Sequence, residues 1–205
     1  MASTFTGLKL QGEIGKFGKL ELSDVAAFYE LPDGKVLSGT DQGTMILWDG
    51  VQVKAHLVLE FDGNNKKPLH NGAIEVILFE NEEFITAGTD GYIKWWSLSR
   101  IDNAEADEVA EVVIEPLKEI SIKTEDGVYA HIINMKRGNN FWLVQDARGY
   151  LWHLGCNDFE AKIVMNFHCG KITDMAVSDS INMCLSVAED GCIKLWDFVR
   201  LRPIY

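Results

Sequence analysis

The sequence predicts an all-β protein built from four copies of one four-stranded unit. Three observations predict it. Four segments align on a glycine that stands five residues before a large apolar residue. Each is flanked by short apolar or alternating runs separated by polar turns, the pattern of strands rather than helices. Helical periodicity is absent apart from a possible short turn in Ala104–Ala110.

The four segments are SGTDQGTMILWD (Ser38 to Asp49), TAGTDGYIKWWS (Thr86 to Ser97), VQDARGYLWHLG (Val144 to Gly155) and SVAEDGCIKLWD (Ser186 to Asp197). Their glycines are Gly43, Gly91, Gly149 and Gly191, and the apolar partners are Trp48, Trp96, Leu154 and Trp196. Two strand-like runs around a tight Asp-Gly-type turn make a β-hairpin, the central two strands of the unit. The first strand is the apolar run upstream: VAAFYEL (from Val25), AIEVILF (from Ala73), VYAHIINM (from Val128) and ITDMAVS (from Ile172). The fourth is the alternating run downstream, VQVKAHLVLEF after the first hairpin and FEAKIVMNF after the third.

The Trp-position residues are spaced by 48, 58 and 42 residues, close to the roughly 40–45 of a four-stranded propeller blade. The long interval contains IDNAEADEVAEVVIEP, residues 101–116, with six acids and no base. It reads as an exposed acidic insertion, either a solvated loop or a docking loop for a basic partner, and Glu105, Asp107, Glu108 and Glu111 are its candidate contacts. Trp95, next to Trp96 on an alternating strand, either packs on a neighbouring sheet or stands exposed as an aromatic contact.

These units resemble WD repeats, with Trp-Asp at 48–49 and 196–197. The resemblance covers nearly the whole chain. It implies a β-propeller segment of about four blades, near 16–61, 62–122, 123–167 and 168–205, belonging to a ring of seven or eight. It also implies a structural hydrogen-bond network in each blade: a His before the inner strand, a Ser or Thr on the second strand, an Asp in the turn and the Trp. His70, Thr86, Asp90 and Trp96 fill these places in the second unit, and His168, Ser186, Asp190 and Trp196 in the fourth. The first keeps Ser38 and Trp48 but has Gln42 for the Asp and no His. The third has Val144, Arg148 and Leu154 and is degenerate, with Trp142 and Trp152 nearby to supply bulk. Grouped His, Ser or Thr, and Asp also suit a hydrolase triad. A catalytic site, however, is built once, whereas this grouping occurs twice at matching offsets, so the structural reading is preferred.

Longer phrases, such as GLKLQGEIGKFGK, HNGAIEVILFENEEFITAGTDGYIKWW and FHCGKITDMAVS, are similar to the cilia- and flagella-associated WD-repeat family. That resemblance implies an axonemal scaffold in the tether or tether head of an inner-arm dynein. Its partners would be the dynein motor, a second ciliary WD-repeat protein and the doublet microtubule. The alternative is a cytoplasmic WD-repeat adaptor unrelated to cilia.

Other functions find little support. Thirty-one acids against nineteen bases, a net charge of −12, disfavour nucleic acid and anionic membranes as partners. No apolar run nears the ~20 residues of a membrane span, and the first residues lack the apolar core of a secretory signal. Cys156, Cys169, Cys184 and Cys192 form no CxxC pair, so a zinc site is not expected, and Gly15 and Gly18 in GKFGK lack the GxxxxGK(S/T) pattern of a phosphate loop, so no cofactor is expected. Cys184 and Cys192 read as core thiols. Four blades leave a ring unfinished: the chain is a piece of a longer protein, or a homodimer completes the ring, or residues 1–15 supply an outer strand of the last blade.

Overall fold

A computed structural model describes residues 24–61, 65–102, 111–178, 180–197, 200 and 202–204. The expected closing strand at 1–15 and the candidate contacts Glu105, Asp107 and Glu108 lie outside the described residues.

The described residues form four sheets in chain order, each built on consecutive antiparallel strands. The first contains β1 (Val25–Glu30), β2 (Val36–Thr40), β3 (Met45–Asp49), β4 (Gln52–Phe61) and β5 (Asn65–Lys67). The second is formed by β6 (Ile74–Glu80), β7 (Glu83–Gly88), β8 (Tyr92–Ser97) and β10 (Lys118–Ser121). Between β8 and β10 run the five-residue α1 (Leu98–Asp102) and β9 (Glu111–Val113). The third comprises β11 (Ile132–Arg137), β12 (Phe141–Asp146), β13 (Tyr150–Gly155) and β14 (Ala161–Asn166), and the fourth β15 (Ile172–Ser178), β16 (Met183–Ala188), β17 (Ile193–Asp197) and β18 (Arg202–Pro203). The fourth strand of the last sheet is thus the chain's own two-residue β18, which pairs with Trp196 and Asp197. The helix precedes the Ala104–Ala110 stretch where the sequence suggested a turn.

The repeat is visible in backbone detail. The hairpin glycines close the same turn, each N–H bonding the carbonyl three residues back: Gly43 to Thr40, Gly91 to Gly88, Gly149 to Asp146 and Gly191 to Ala188, at 3.1–3.2 Å. All four have φ between +73° and +83°, the left-handed region that glycine enters without a side-chain penalty. The inner strands β1, β11 and β15 carry a register shift at the same place, between Val25/Ala27, Ile132/Asn134 and Ile172/Asp174. Such bulges increase strand twist.

The chain divides into two compact units, one of residues 24–86 and 94–119, the other of 87–93 and 120–204. The first holds an apolar core in which Leu37, Met45, Leu47 and Leu57 pack with Leu69, Ile74, Phe84 and Trp96. Each such side chain removed from water contributes roughly 1.5–3 kcal/mol.

The acidic insertion is not wholly an exposed loop. Its Glu-Val-Val-Ile run alternates, so Val112 and Ile114 enter this core beside Ile101. The backbone of β9 pairs in parallel with β4, matching His56–Val58 to Glu111–Val113, and the Ile114 N–H donates to the Val58 carbonyl at 2.9 Å. Glu111, expected as an exposed contact, is half-buried and ion-paired with Lys66 at 2.6 Å. Trp95 is likewise buried rather than exposed. It lies on the sheet face opposite Trp96, where the Lys118 ammonium sits 5.5 Å from its ring centre and its carbonyl accepts the Leu117 N–H at 2.7 Å.

Candidate functional site

The fourth sheet holds one connected polar network. His168 lies just before β15, Ser186 on β16, Asp190 in the turn and Trp196 on β17. His168 Nδ1 is 3.0 Å from Asp190 Oδ2, and Nε2 is 2.7 Å from Ser186 Oγ. The Trp196 indole Nε1–H donates to the same Ser186 oxygen at 2.7 Å. With Nδ1 protonated, His168 donates to the carboxylate and accepts the Ser186 hydroxyl proton, while the Ser186 lone pair takes the indole N–H. Every polar atom is then satisfied. The backbone N–H groups of Cys169 and Cys192 also donate to Asp190, at 2.8 and 2.9 Å. Burial alone would raise the Asp190 pKa. The hydrogen bonds from Cys192, Cys169 and His168 outweigh that effect and hold it at about 2.

The second sheet repeats this arrangement around Thr86. His70 Nε2 is 2.7 Å from Thr86 Oγ1, and Trp96 Nε1 donates to that oxygen at 2.8 Å. Asp90 accepts the Tyr92 backbone N–H at 3.1 Å, which shapes the turn. In the first sheet, where Gln42 stands in the Asp position, Trp48 Nε1 donates to Ser38 Oγ at 2.7 Å.

The third sheet substitutes a different residue. Asp146, fully buried at the end of β12, accepts the Trp152 indole N–H at 3.0 Å and the backbone N–H groups of Arg148 and Tyr150 at 2.9 and 3.0 Å. A motif search centred on Val144, Arg148 and Leu154 passes over it. The available signal is an Asp three residues before the turn glycine with a Trp three residues after it.

The cysteines are free: Cys184 is buried, Cys169 exposed, and Cys192 only half-buried at its turn rather than in the core. Burial, then the nearby Asp146 and Asp190 carboxylates, raises the Cys169 pKa, which disfavours the reactive thiolate. Lys194 is buried on the same face as Ser186. It donates to Asn166 Oδ1 and the Phe167 carbonyl, and burial lowers its pKa. Among the described residues no three His, Cys, Asp or Glu side chains are placed to hold a metal ion.

Residues 160–197 match the WD domain, G-beta repeat family model. With four glycine-turned sheets and the His–Ser–Asp–Trp bonding, the chain is a WD-repeat β-propeller segment. Along its whole length it is 38% identical to cilia- and flagella-associated protein 44 of Mus musculus, of which it spans 11%. It is 34% identical to the protein of the same name in Trypanosoma brucei brucei, spanning 13% of that chain. The WD40 β-propeller domain of Doa1, a solved structure, aligns with 85% of this chain and 50% of its own at 15% identity and a TM-score of 0.44.

Proposed function

We propose that the chain is a non-enzymatic protein-interaction scaffold of the cilium or flagellum. The observation that carries this reading is its similarity, over every residue, to proteins named as cilia- and flagella-associated in a mammal and a trypanosome.

The polar networks support a structural role. A hydrolase serine must meet its substrate, yet Ser186 and Thr86 are buried, and each oxygen already pairs with a histidine and a tryptophan. The finer assignment is that the scaffold helps tether an inner-arm dynein and so supports beating. It would hold the dynein motor, a second ciliary WD-repeat protein and the doublet microtubule in register. A second copy completing a ring belongs to the same proposal.

Proximity labelling from the tagged protein in ciliated cells tests this. Enrichment of axonemal dynein chains and tubulin is expected. Labelling confined to cell-body proteins would overturn the ciliary assignment. Turnover of a hydrolase substrate, lost in a folded Ser186→Ala variant, would overturn the non-enzymatic one.

A further inference from the structure

We propose that Cys169 and Cys192 form a modification site: a dithiol that a low-molecular-weight disulfide, such as oxidised glutathione, converts to an intramolecular disulfide. The proposal goes beyond the scaffold reading and does not rest on it.

The polar network of the fourth sheet sets the two residues side by side. Cys169 follows His168 in the segment leading into β15, and Cys192 follows the turn glycine Gly191. A whole hairpin separates them in sequence, yet their backbone N–H groups bind the two oxygens of one carboxylate. Cys169 donates to Asp190 Oδ2 at 2.8 Å and Cys192 to Asp190 Oδ1 at 2.9 Å. Electrostatics places the side chains together as well. Burial first, then Asp146, Asp190 and Cys192, raise the Cys169 pKa, against the pull of Lys194. Burial lowers the Lys194 pKa, and the charges of Cys192, Asp190, Cys169 and Asp146 oppose it. One group of side chains thus surrounds both sulfurs.

Neither thiol is strongly held. Cys169 donates to the Asp146 carbonyl at 3.4 Å and Cys192 to the Asp190 carbonyl at 3.8 Å, and an S–H is a weak donor. Cys169 is exposed, so a small solute reaches it, and Cys192 is half-buried beside it. The other two cysteines differ. Cys184 is buried, and Cys156 follows the end of β13, where Arg137 donates to its sulfur at 2.8 Å. The pairing is particular to the fourth sheet. The residue three before the first of the inner strand and the residue after the turn glycine are Asn71 and Tyr92 in the second unit, and Tyr129 and Tyr150 in the third.

The exchange takes two displacements. The Cys169 thiolate attacks one sulfur of the small disulfide, forms a mixed disulfide and expels one thiolate. The Cys192 thiolate then attacks the Cys169 sulfur, forms the Cys169–Cys192 bond and expels the second. The two protons lost by the protein end on the two released small thiols. Two electrons pass from the protein to the small disulfide, so the step balances. The raised Cys169 pKa sets the pace: the first displacement quickens as pH rises and more thiolate forms. The product joins covalently the same two pieces that His168 and Asp190 tie by hydrogen bonds, the entering segment and the turn.

Non-reducing peptide mapping of the folded full chain, after incubation with oxidised glutathione and alkylation of the remaining thiols, tests the proposal. A Cys169–Cys192 linked peptide is expected, formed faster at higher pH and lost on reduction. Cys192→Ser should stop at the Cys169–glutathione adduct. That adduct should accumulate at least about tenfold above its level in wild type, where the neighbouring thiol acts at millimolar effective concentration or more. The melting temperature of wild type should rise on oxidation and return on reduction, and that of Cys192→Ser should show no such rise. A persistent glutathione adduct on Cys169 of wild type, a link from Cys169 to Cys156, Cys184 or a second chain, or no reaction at either cysteine would overturn the pairing. The map is made on wild type, so it decides even where a variant fails to fold. Ciliary labelling is indifferent to each of these outcomes, so the two readings fail separately.

Discussion

Replacing Thr86 by valine should be among the costliest one-atom changes in the protein. Valine keeps the shape and β-branching, so packing and strand propensity barely change. The lost atom is Oγ1, which sits fully buried between His70 Nε2 at 2.7 Å and the Trp96 indole nitrogen at 2.8 Å. Water cannot replace it there. A buried donor or acceptor left without its partner costs about 1–3 kcal/mol, so losing two such bonds should cost about 2–4 kcal/mol. Ser38→Ala breaks a single bond, to half-buried Trp48, where water can substitute, and should cost about 1 kcal/mol. Ser186→Ala should fall between them, because its network is complete but its Trp196 is half-buried. Urea unfolding followed by tryptophan fluorescence, with an unchanged m-value, measures all three. A Thr86→Val cost within ~0.5 kcal/mol of zero, or one below that of Ser38→Ala, would refute the argument, since the ranking rests on solvent access to the indole.

Three further outcomes are expected. Trp96→Ala should destabilise by about 3–5 kcal/mol as a core aromatic truncation, and Trp196→Ala by clearly less, because only the former is fully buried; paired thermal melts decide. The Asp190 carboxyl lies below its ordinary 3.8, at about 2. Its contribution, on the order of 2 kcal/mol, is therefore present above pH ~4 and lost as pH falls from ~4 towards 2; unfolding free energies of wild type and Asp190→Asn should converge over that window. Gly149→Ala should destabilise far more than Gly191→Ala in the same unfolding assay. Both put a side chain at positive φ, +83° and +73°, but only at 149 would the new carbon strike a carbonyl oxygen, at 1.8 Å.

The repeat was legible because each unit meets the same local demands: a glycine at the turn, alternation on the strands, and a Trp beside a Ser or Thr. What escaped depended on non-local partners. Glu111 looked like a surface residue by type, yet the insertion between β8 and β10 folds back to pair with β4 and ion-pairs it with Lys66; Trp95, which the sequence left open between packing and exposure, is buried. Parallel pairing across more than fifty residues leaves no local signature. Only the Glu-Val-Val-Ile alternation hinted that the acidic run contains a strand. Asp146 escaped for another reason: the third unit satisfies its tryptophan with a carboxylate from the end of β12, so the chemistry persists while the motif positions change.

That substitution bears on what a WD unit requires. In the second and fourth sheets a hydroxyl joins an imidazole to an indole; in the third, a carboxylate takes the indole N–H and two turn N–H groups without a histidine. The shared requirement is a buried acceptor for the indole and for the turn, since a buried N–H left unpaired costs more than any one partner contributes. The histidine adds a tie from the incoming segment to the sheet, as His168 does by bonding both Ser186 and Asp190. The third sheet lacks that histidine and keeps the backbone tie that the first and fourth also have: Ala147 donates its N–H to the His131 carbonyl at 2.8 Å, as Asp41 does to Asp24 at 2.9 Å and Glu189 to Lys171 at 3.0 Å. The unit therefore conserves connections rather than residues. A sequence scan for such chains should look for one buried acceptor per tryptophan rather than for a fixed His–Ser–Asp–Trp string.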